Sequence, residues 1–170
     1  MSKPFVVLGM HRSATSLIAG GLARAGVNMG QRLLGKRKSN PKGHYEDLDF
    51  LELNDKILKA NGGTWRKPPD IIDPGKLTLP ARRLIEAKMG DSELWGWKDP
   101  RTALTFGLYE PFLGDDAHLV CVFRRPVNVA RSLNSRNSIP IPNGVALTDT
   151  YNRAILEAAA RHVGLNITIH

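Results

Sequence analysis

The 170-residue chain carries 24 Lys+Arg against 16 Asp+Glu, a formal net charge of +8, and a single cysteine. The length suits one domain that buries roughly two-thirds of the surface its unfolded form exposes, and the charge favours polyanionic partners such as a nucleotide, nucleic acid or an anionic membrane surface. One cysteine makes no intrachain disulfide and no Cys/His cluster has zinc-ligand spacing, so neither a crosslinked secreted scaffold nor a structural metal is supported.

The chain enters Phe5 to Leu8 after one lysine. That apolar run is too short for a signal segment or a spanning helix, which leaves the cytoplasm as the expected location. Apolar throughout, it predicts a central strand covered on both faces. Leu17, Ile18, Leu22 and Ala25 then recur at helical spacing over Thr15 to Ala25, with Gly26 placed to end the helix. The basic run Arg32, Lys36, Arg37, Lys38 and Lys42 follows, placed either to line the mouth of a nucleotide site or to form a solvated loop.

Asp47 to Asn61 repeats the helical period through Leu48, Leu51, Ile57 and Leu58, with Asp47 as N-cap and Gly62-Gly63 as the stop. Asn61 to Pro80, rich in Gly, Pro and Asp, predicts loop, Pro80 to Met89 a short helix, and Leu94 to Lys98 the next strand. Leu104 to Leu113 is a helix interrupted by Gly107 and Pro111. Leu119 to Phe123 is a third strand, with Cys121 a core thiol at its centre. Pro126 to Asn134 predicts a helix with proline in its first turn, Ser135 to Gly144 a surface loop around Pro140 and Pro142, and Val145 to Val163 the longest helix. A short strand over Leu165 to His170 closes the chain. Strands alternating with helices indicate an α/β fold with a parallel sheet wrapped on both sides, ligands binding at the carboxyl ends of the strands. Gly9 to Ser13, Asp99 and Arg124 all fall at such ends.

Two of these junctions carry chemistry. Gly9-Met10-His11-Arg12-Ser13-Ala14-Thr15-Ser16 joins a strand to a helix N-terminus, where backbone N–H groups and the helix dipole converge on an anion. It departs from the Walker A pattern: Ala14 stands for the second glycine and Thr15 for the lysine, while Arg12 supplies the cation. Alanine at position 14 costs roughly 1–2 kcal/mol if the turn requires a left-handed residue. The second junction is Arg124-Arg125-Pro126, with Ser132 eight residues beyond Arg124 on the following helix. An arginine fork and a serine hydroxyl converging from two elements suit a terminal phosphate monoester.

This pair of segments resembles the two cofactor loops of the sulfotransferases that use 3′-phosphoadenosine 5′-phosphosulfate (PAPS). Arg12 to Ser16 match the loop that wraps the 5′-phosphosulfate except at Ala14, and Arg124 with Ser132 match the loop that holds the 3′-phosphate. Asn40 to Asp47 and Trp97-Lys98-Asp99-Pro100-Arg101 resemble stretches of bacterial and phage-type members, so the resemblance runs from about Val6 to about Ala160.

The resemblance implies a three-layer α/β/α, P-loop-like sulfotransferase domain spanning residues 1–170. Its donor would be PAPS and its product 3′-phosphoadenosine 5′-phosphate (PAP), without a required metal. Arg12 would assist the leaving group, with His11, Ser13, Ala14, Thr15 and Ser16 around the 5′-phosphate, and Lys98 would reach the transferring group. His11 is expected to be chiefly a solvent-facing turn residue. Family members using a Lys-Thr-His base have histidine where this chain has Pro100, so the base falls to Glu46, with Asp99 second; Glu46 otherwise decorates a helix N-terminus and Asp99 pairs with Arg101. Family members usually continue into a segment that covers the nucleotide; here that segment is expected to be missing, truncated, or supplied by another subunit, the protein being a monomer or a homodimer.

Two other functions compete. A P-loop kinase or nucleotide hydrolase would hold a triphosphate with magnesium, but needs a lysine in the cradle. A non-catalytic nucleotide-binding remnant would keep the fold and lose turnover. Nucleic acid is disfavoured as a partner, since the basic runs carry no aromatic ladder and Trp65, Trp95 and Trp97 fall in loop and core positions. A small molecule or carbohydrate is the expected acceptor, its identity set by loops the sequence does not shape.

Overall fold

The structure, a computed structural model, describes residues 2–35, 43–73, 75–90, 92–114, 116–162 and 164–169. Four strands, β1 (Lys3–Gly9), β2 (Leu94–Lys98), β3 (His118–Arg124) and β4 (Gly164–Ile169), form one parallel sheet in the order β2-β1-β3-β4. Because β1 has β2 on one side and β3 on the other, the chain reverses direction across the sheet beside β1. The crevice of such a sheet opens at that place, above the carboxyl ends of the strands.

The two faces follow from strand alternation. Val6 and Leu8 of β1 and Leu119 and Cys121 of β3 join the larger core, which is covered by α2 (Leu48–Ala60), α3 (Thr78–Met89), α4 (Thr102–Thr105), α5 (Pro126–Asn137) and α6 (Ile141–Ala159). Val7, Val120 and Val122 point the other way, onto α1 (Thr15–Arg24) and the turn after it. Helices on both sides of a parallel sheet give the expected α/β architecture. Among the described residues, no helix is long and apolar enough to cross a membrane.

Local chemistry explains where the elements begin and end. Asp47 caps α2 as expected, its carboxylate accepting from the Asp49 N–H at 2.8 Å. The same carboxylate accepts from Lys88 Nζ at 2.8 Å, which ties the start of α2 to the end of α3. The outer edge of β2 is also occupied: Asn28 bridges Trp95 and accepts the Gly96 N–H at 2.9 Å.

Several expected boundaries move. The surface loop expected over Ser135 to Gly144 is mostly helix: α5 runs on to Asn137, Ser138 ends it in a left-handed conformation at φ 55°, and α6 starts at Ile141. Pro140 and Pro142 lie at the cap and first turn of α6, where a missing N–H costs nothing, so two prolines that read as loop punctuate a helix start. α6 therefore begins four residues before the expected Val145. The helix expected over Leu104 to Leu113 breaks into α4 and two 3-10 turns, Phe106–Leu108 and Glu110–Phe112, around Gly107 and Pro111. The expected loop to Pro80 ends early, in a 3-10 turn at Gly75–Leu77 leading into α3.

One glycine is required by packing between strands. A Cβ on Gly96 would lie 2.2 Å from the carbonyl oxygen of Phe5, its partner in the β1–β2 register. Gly96→Ala is expected to destabilise the fold by about 3 kcal/mol through forced separation of the strands. Urea unfolding of the two proteins, compared at equal slope, checks it.

Candidate active site

The turn after β1 is wound tightly. Arg12 and Ala14 hold positive φ angles of 71° and 63°, and Ala14 forms the left-handed N-cap of α1 with no side-chain hydrogen bond. The Leu17 N–H bonds back to the Ala14 carbonyl at 2.9 Å, which leaves the N–H groups of Thr15 and Ser16 to a ligand, and the left-handed residues fold the backbone into a concave anion nest. Gly9 makes the return possible, since a Cβ there would sit 2.4 Å from Thr15 Cγ2.

The second junction closes onto the first. Arg124, at the end of β3, donates from Nη1 to the carbonyl of Arg12 at 2.8 Å. Arg12 Nε in turn donates to Ser132 Oγ on α5 at 2.8 Å. Residues more than a hundred positions apart are joined by two bonds. The cause is the β1–β3 pairing, which sets Gly9 opposite Val122 and so brings both strand ends to one height.

A cleft of about 340 Å³ opens over this junction, lined among others by His11, Arg12, Ala14, Thr15, Ser16, Glu46, Lys98 and Arg124. Arg24, His44, Tyr45 and Arg136 complete much of its wall. Lys98, fully buried at the end of β2, donates to Glu46 Oε1 at 2.7 Å and to Ser16 Oγ at 3.2 Å. Burial lowers its pKa, and the Glu46 carboxylate offsets only part of that. His44 Nδ1 lies 4.0 Å from the same Glu46 oxygen. Burial also lowers the pKa of Arg12, helped by the like charges of Arg136 and Arg124.

Three candidates fall outside the lining. Ser132 meets the cleft only through the bond its Oγ accepts from Arg12 Nε. Ser13 is buried, its N–H bonded to the Met10 carbonyl at 3.2 Å. Asp99 is also fully buried, and accepts from Arg101 Nη1 at 2.7 Å and from Asn54 Nδ2 at 2.8 Å. Arg101 also pairs with Asp55 at 2.7 Å. Asn54 uses all four of its hydrogen-bonding positions, donating to Asp99 and Thr102 and accepting from the hydroxyls of Thr105 and Tyr109. Asp99 thus sits in a satisfied network that docks α2 and α4 on β2.

His11 departs from expectation. Instead of facing solvent, its ring turns inward, 4.3 Å from the Trp65 ring and 6.2 Å from that of Tyr151 between centroids. Its Nε2 is enclosed without a hydrogen-bond partner among the described residues. Trp95 and Trp97 are buried and stacked in the core, as expected. In the basic run, Arg32 pairs with Asp49 and Glu52 and is not part of this cleft's lining; Lys36, Arg37, Lys38 and Lys42 lie outside the described residues, as do Asn40 and Pro41.

Sequence reasoning missed Arg136, His44, Tyr45 and Trp65. Arg136 had a signal, one helical turn beyond Ser132 on the same face. Tyr45 had none: its φ of 52° and the approach of its ring to Gly20, whose Cβ would lie 3.0 Å from Tyr45 Cε2, are tertiary facts.

Comparison with solved structures bears on the fold. The sulfotransferase domain of the Synechococcus PCC 7002 olefin synthase matches with a TM-score of 0.58 and 16% identity, over 98% of this chain and 66% of that one. The chain has a sulfotransferase-like fold. Sulfotransferase STF1 from Mycobacterium tuberculosis H37Rv aligns with a TM-score of 0.49 and 14% identity, over 99% of this chain and 62% of that one. The chain therefore spans just under two thirds of the length of each of these structures. No family model and no curated protein matches the sequence.

Two predictions follow from the cradle. Burial, reinforced by the charges of Arg101 and Lys98, holds the His11 pKa well below 6.5. In the unfolded chain the same imidazole titrates near 6.5, so below that pH the unfolded state binds a proton the folded state excludes. Stability is expected to fall as pH drops from 7.5 to 5.5, by up to about 1.4 kcal/mol per pH unit from this group. Urea midpoints of the wild type and His11→Asn across that range should show a shallower slope in the variant. Ala14→Gly, by relieving a left-handed alanine against a gain in unfolded-state entropy, should stabilise by about 0.5–1 kcal/mol. The urea midpoint would rise at unchanged slope.

Proposed function

We propose that the chain transfers a sulfuryl group from PAPS to an acceptor hydroxyl, releasing PAP. The observation that carries this reading is the contact between the two junctions, Arg124 to the Arg12 carbonyl and Arg12 to Ser132. An anion-binding turn and an arginine–serine pair placed side by side suit the two phosphates of one bisphosphorylated nucleoside.

The residues present fit such a ligand. Arg12, Arg24, Lys98, Arg124 and Arg136 line the cleft against one carboxylate, Glu46. Arg124 Nε is enclosed without a hydrogen-bond partner among the described residues, a donor that a phosphate oxygen would satisfy. Arg12, the loop N–H groups and the hydroxyls of Thr15 and Ser16 would hold the 5′-phosphate, and Arg124 with Ser132 the 3′-phosphate.

PAPS supplies an activated sulfuryl group, whose sulfur–oxygen bond to the phosphate breaks as the acceptor oxygen bonds to sulfur. The protein's part is positioning and charge stabilisation. Arg12 and Lys98 present positive charge where negative charge grows on the leaving phosphate and the transferring oxygens. Glu46, held in place by Lys98, is positioned to take the acceptor's proton, while Asp99 keeps β2 and the adjoining helices in register. In this reading Asp99 positions and Glu46 acts.

Calorimetry with PAP in metal-free buffer tests the donor. Ser132→Ala and Arg124→Met should each weaken PAP about 10- to 100-fold, the loss expected for a hydrogen bond to a charged group, and weaken AMP, which lacks the 3′-phosphate, by clearly less, the shared part being the turn's lost support. Arg12→Ala should abolish transfer from labelled PAPS, and Glu46→Gln should suppress turnover while PAP still binds. Binding of ATP with magnesium in place of PAP would overturn the assignment.

A further inference from the structure

The donor reading leaves the His11 side chain without a task, although it stands where two cavities meet. A second cavity, of about 380 Å³, adjoins the donor cleft, and the two share His11, Arg12, His44, Glu46 and Arg136. The leaving-group cation and the carboxylate assigned above belong to that shared wall. A sulfuryl group in transit would pass beside it.

Packing fixes the imidazole. Its centroid lies 4.3 Å from that of the Trp65 ring and 6.2 Å from that of Tyr151. The Tyr151 hydroxyl donates to the Trp65 carbonyl at 3.0 Å, which ties the two aromatic residues together around it. A phenyl ring would fill the same space, yet this side chain carries an enclosed Nε2 with no hydrogen-bond partner among the described residues. An enclosed polar atom without a partner costs stability, and a ligand atom would remove that cost.

The surroundings restrict that ligand atom. Burial lowers the imidazole pKa well below 6.5, and the charges of Arg101, Lys98, Arg136 and Arg12 add to the shift, so the ring is neutral and carries one N–H. Those four cations are donors only, and none of them donates to Nε2. Glu46, the carboxylate of the shared wall, already accepts from Lys98 at 2.7 Å. With its proton on Nε2, the ring would find its acceptor in a ligand. Sulfuryl oxygens carry negative charge and no proton, so they accept and never donate.

We propose that His11 Nε2–H donates to a sulfuryl oxygen of the donor, so that the site distinguishes PAPS from PAP and holds the group in transit. The proposal rests on the donor reading above. A bond to a charged oxygen in an enclosed site is stronger than one between neutral groups, and a ring fixed by packing needs no reorganisation to make it. In the transfer the sulfur–oxygen bond to the phosphate breaks and its electron pair leaves on PAP. The acceptor oxygen bonds to sulfur, the acceptor's proton passes to Glu46, and the Nε2 proton stays on His11.

Calorimetry in the absence of acceptor compares PAPS with PAP, which differ only in the sulfuryl group, on the wild type, His11→Phe and His11→Gln. The first variant keeps a packed ring and removes the nitrogen, and the second returns an N–H donor near the Nε2 position. His11→Phe should weaken PAPS about 10- to 100-fold and keep PAP within about twofold, and His11→Gln should recover most of the loss. In the wild type, nitrogen NMR with labelled histidine, the His11 signal assigned by its loss in His11→Gln, should show an Nε2–H slowed in exchange by PAPS and not by PAP. Equal losses for the two nucleotides would make His11 a support of the turn and overturn the proposal. Unchanged PAPS affinity would overturn it too, as would His11→Gln binding PAPS no better than His11→Phe. Where His11→Phe fails to fold, the NMR comparison decides, and identical imidazole signals in the PAPS and PAP complexes overturn the proposal. A wild type that binds neither nucleotide would overturn the donor reading itself, and this proposal with it.

Discussion

The bond from Arg124 to the carbonyl of Arg12 is the constraint on which the site depends. Arg12 and Ala14 sit in a backbone region that L-residues adopt at a cost of roughly 1–2 kcal/mol each. Such a turn persists only where its surroundings over-determine it. Three surroundings do so here. Gly9 lets the chain fold back against Thr15, Arg124 clamps the turn's carbonyl from the neighbouring strand, and Ser132 holds the Arg12 side chain from α5. The β1–β3 register underlies all three, because a slip of one residue would carry Arg124 away from the turn and reverse the faces of β3.

Among the described residues, cationic side chains outnumber carboxylates along the cleft, which favours an anion. Buried ion pairs contribute little net stability, since desolvation offsets most of the attraction. Lys98 shows this directly: even with Glu46 at 2.7 Å, burial still lowers its pKa. Arg12 loses proton affinity for the same reason, with Arg136 and Arg124 adding to the effect. The surface clusters behave differently. Arg32 pairs with Asp49 and Glu52, and Arg161 with Glu110, leaving no comparable excess of one sign. A ligand carrying several negative charges would bind the folded protein selectively and stabilise it by mass action.

How much of this was legible in the sequence depends on the range of the interaction. The strands, the capped start of α2 and the anion-binding turn are local features, written in apolar runs, in Asp47 and in the order of Gly9, Arg12 and Ser16. The left-handed Ala14 was foreseeable from the shape of the turn. The start of α6 was misread because proline signals a loop in most contexts and a helix only within the first turn, and which applies at Pro142 depends on α5 ending at Ser138. His11 was misread because its burial depends on Trp65, fifty-four residues away in a loop, and Tyr151 on α6, contacts no local pattern encodes. Leu48 and Leu51 read as ordinary members of an amphipathic helix. Only the packing shows that Leu48 and Leu51 stand apart from the core that Phe50, Leu53 and Ile57 join.

The end of β2 shows how fold and chemistry use the same few atoms. Successive residues at a strand end point to opposite sides. Lys98 turns into the cleft to hold Glu46 and Ser16, while Asp99 turns into the core to hold Arg101 and Asn54. Asn54 extends that grip to Thr102, Thr105 and Tyr109, and Trp97 adds a bond from its indole N–H to Thr102 at 3.0 Å. Because those bonds leave Asn54 fully satisfied and Asp99 engaged from two sides, the backbone between the two residues has little freedom to shift. The Lys98 ammonium is therefore set in place by the core network behind it rather than by the cleft in front. Through Lys98 the position of Glu46 is set in turn, so the carboxylate of the cleft inherits its precision from the polar cluster built on Asp99 and Asn54 behind it.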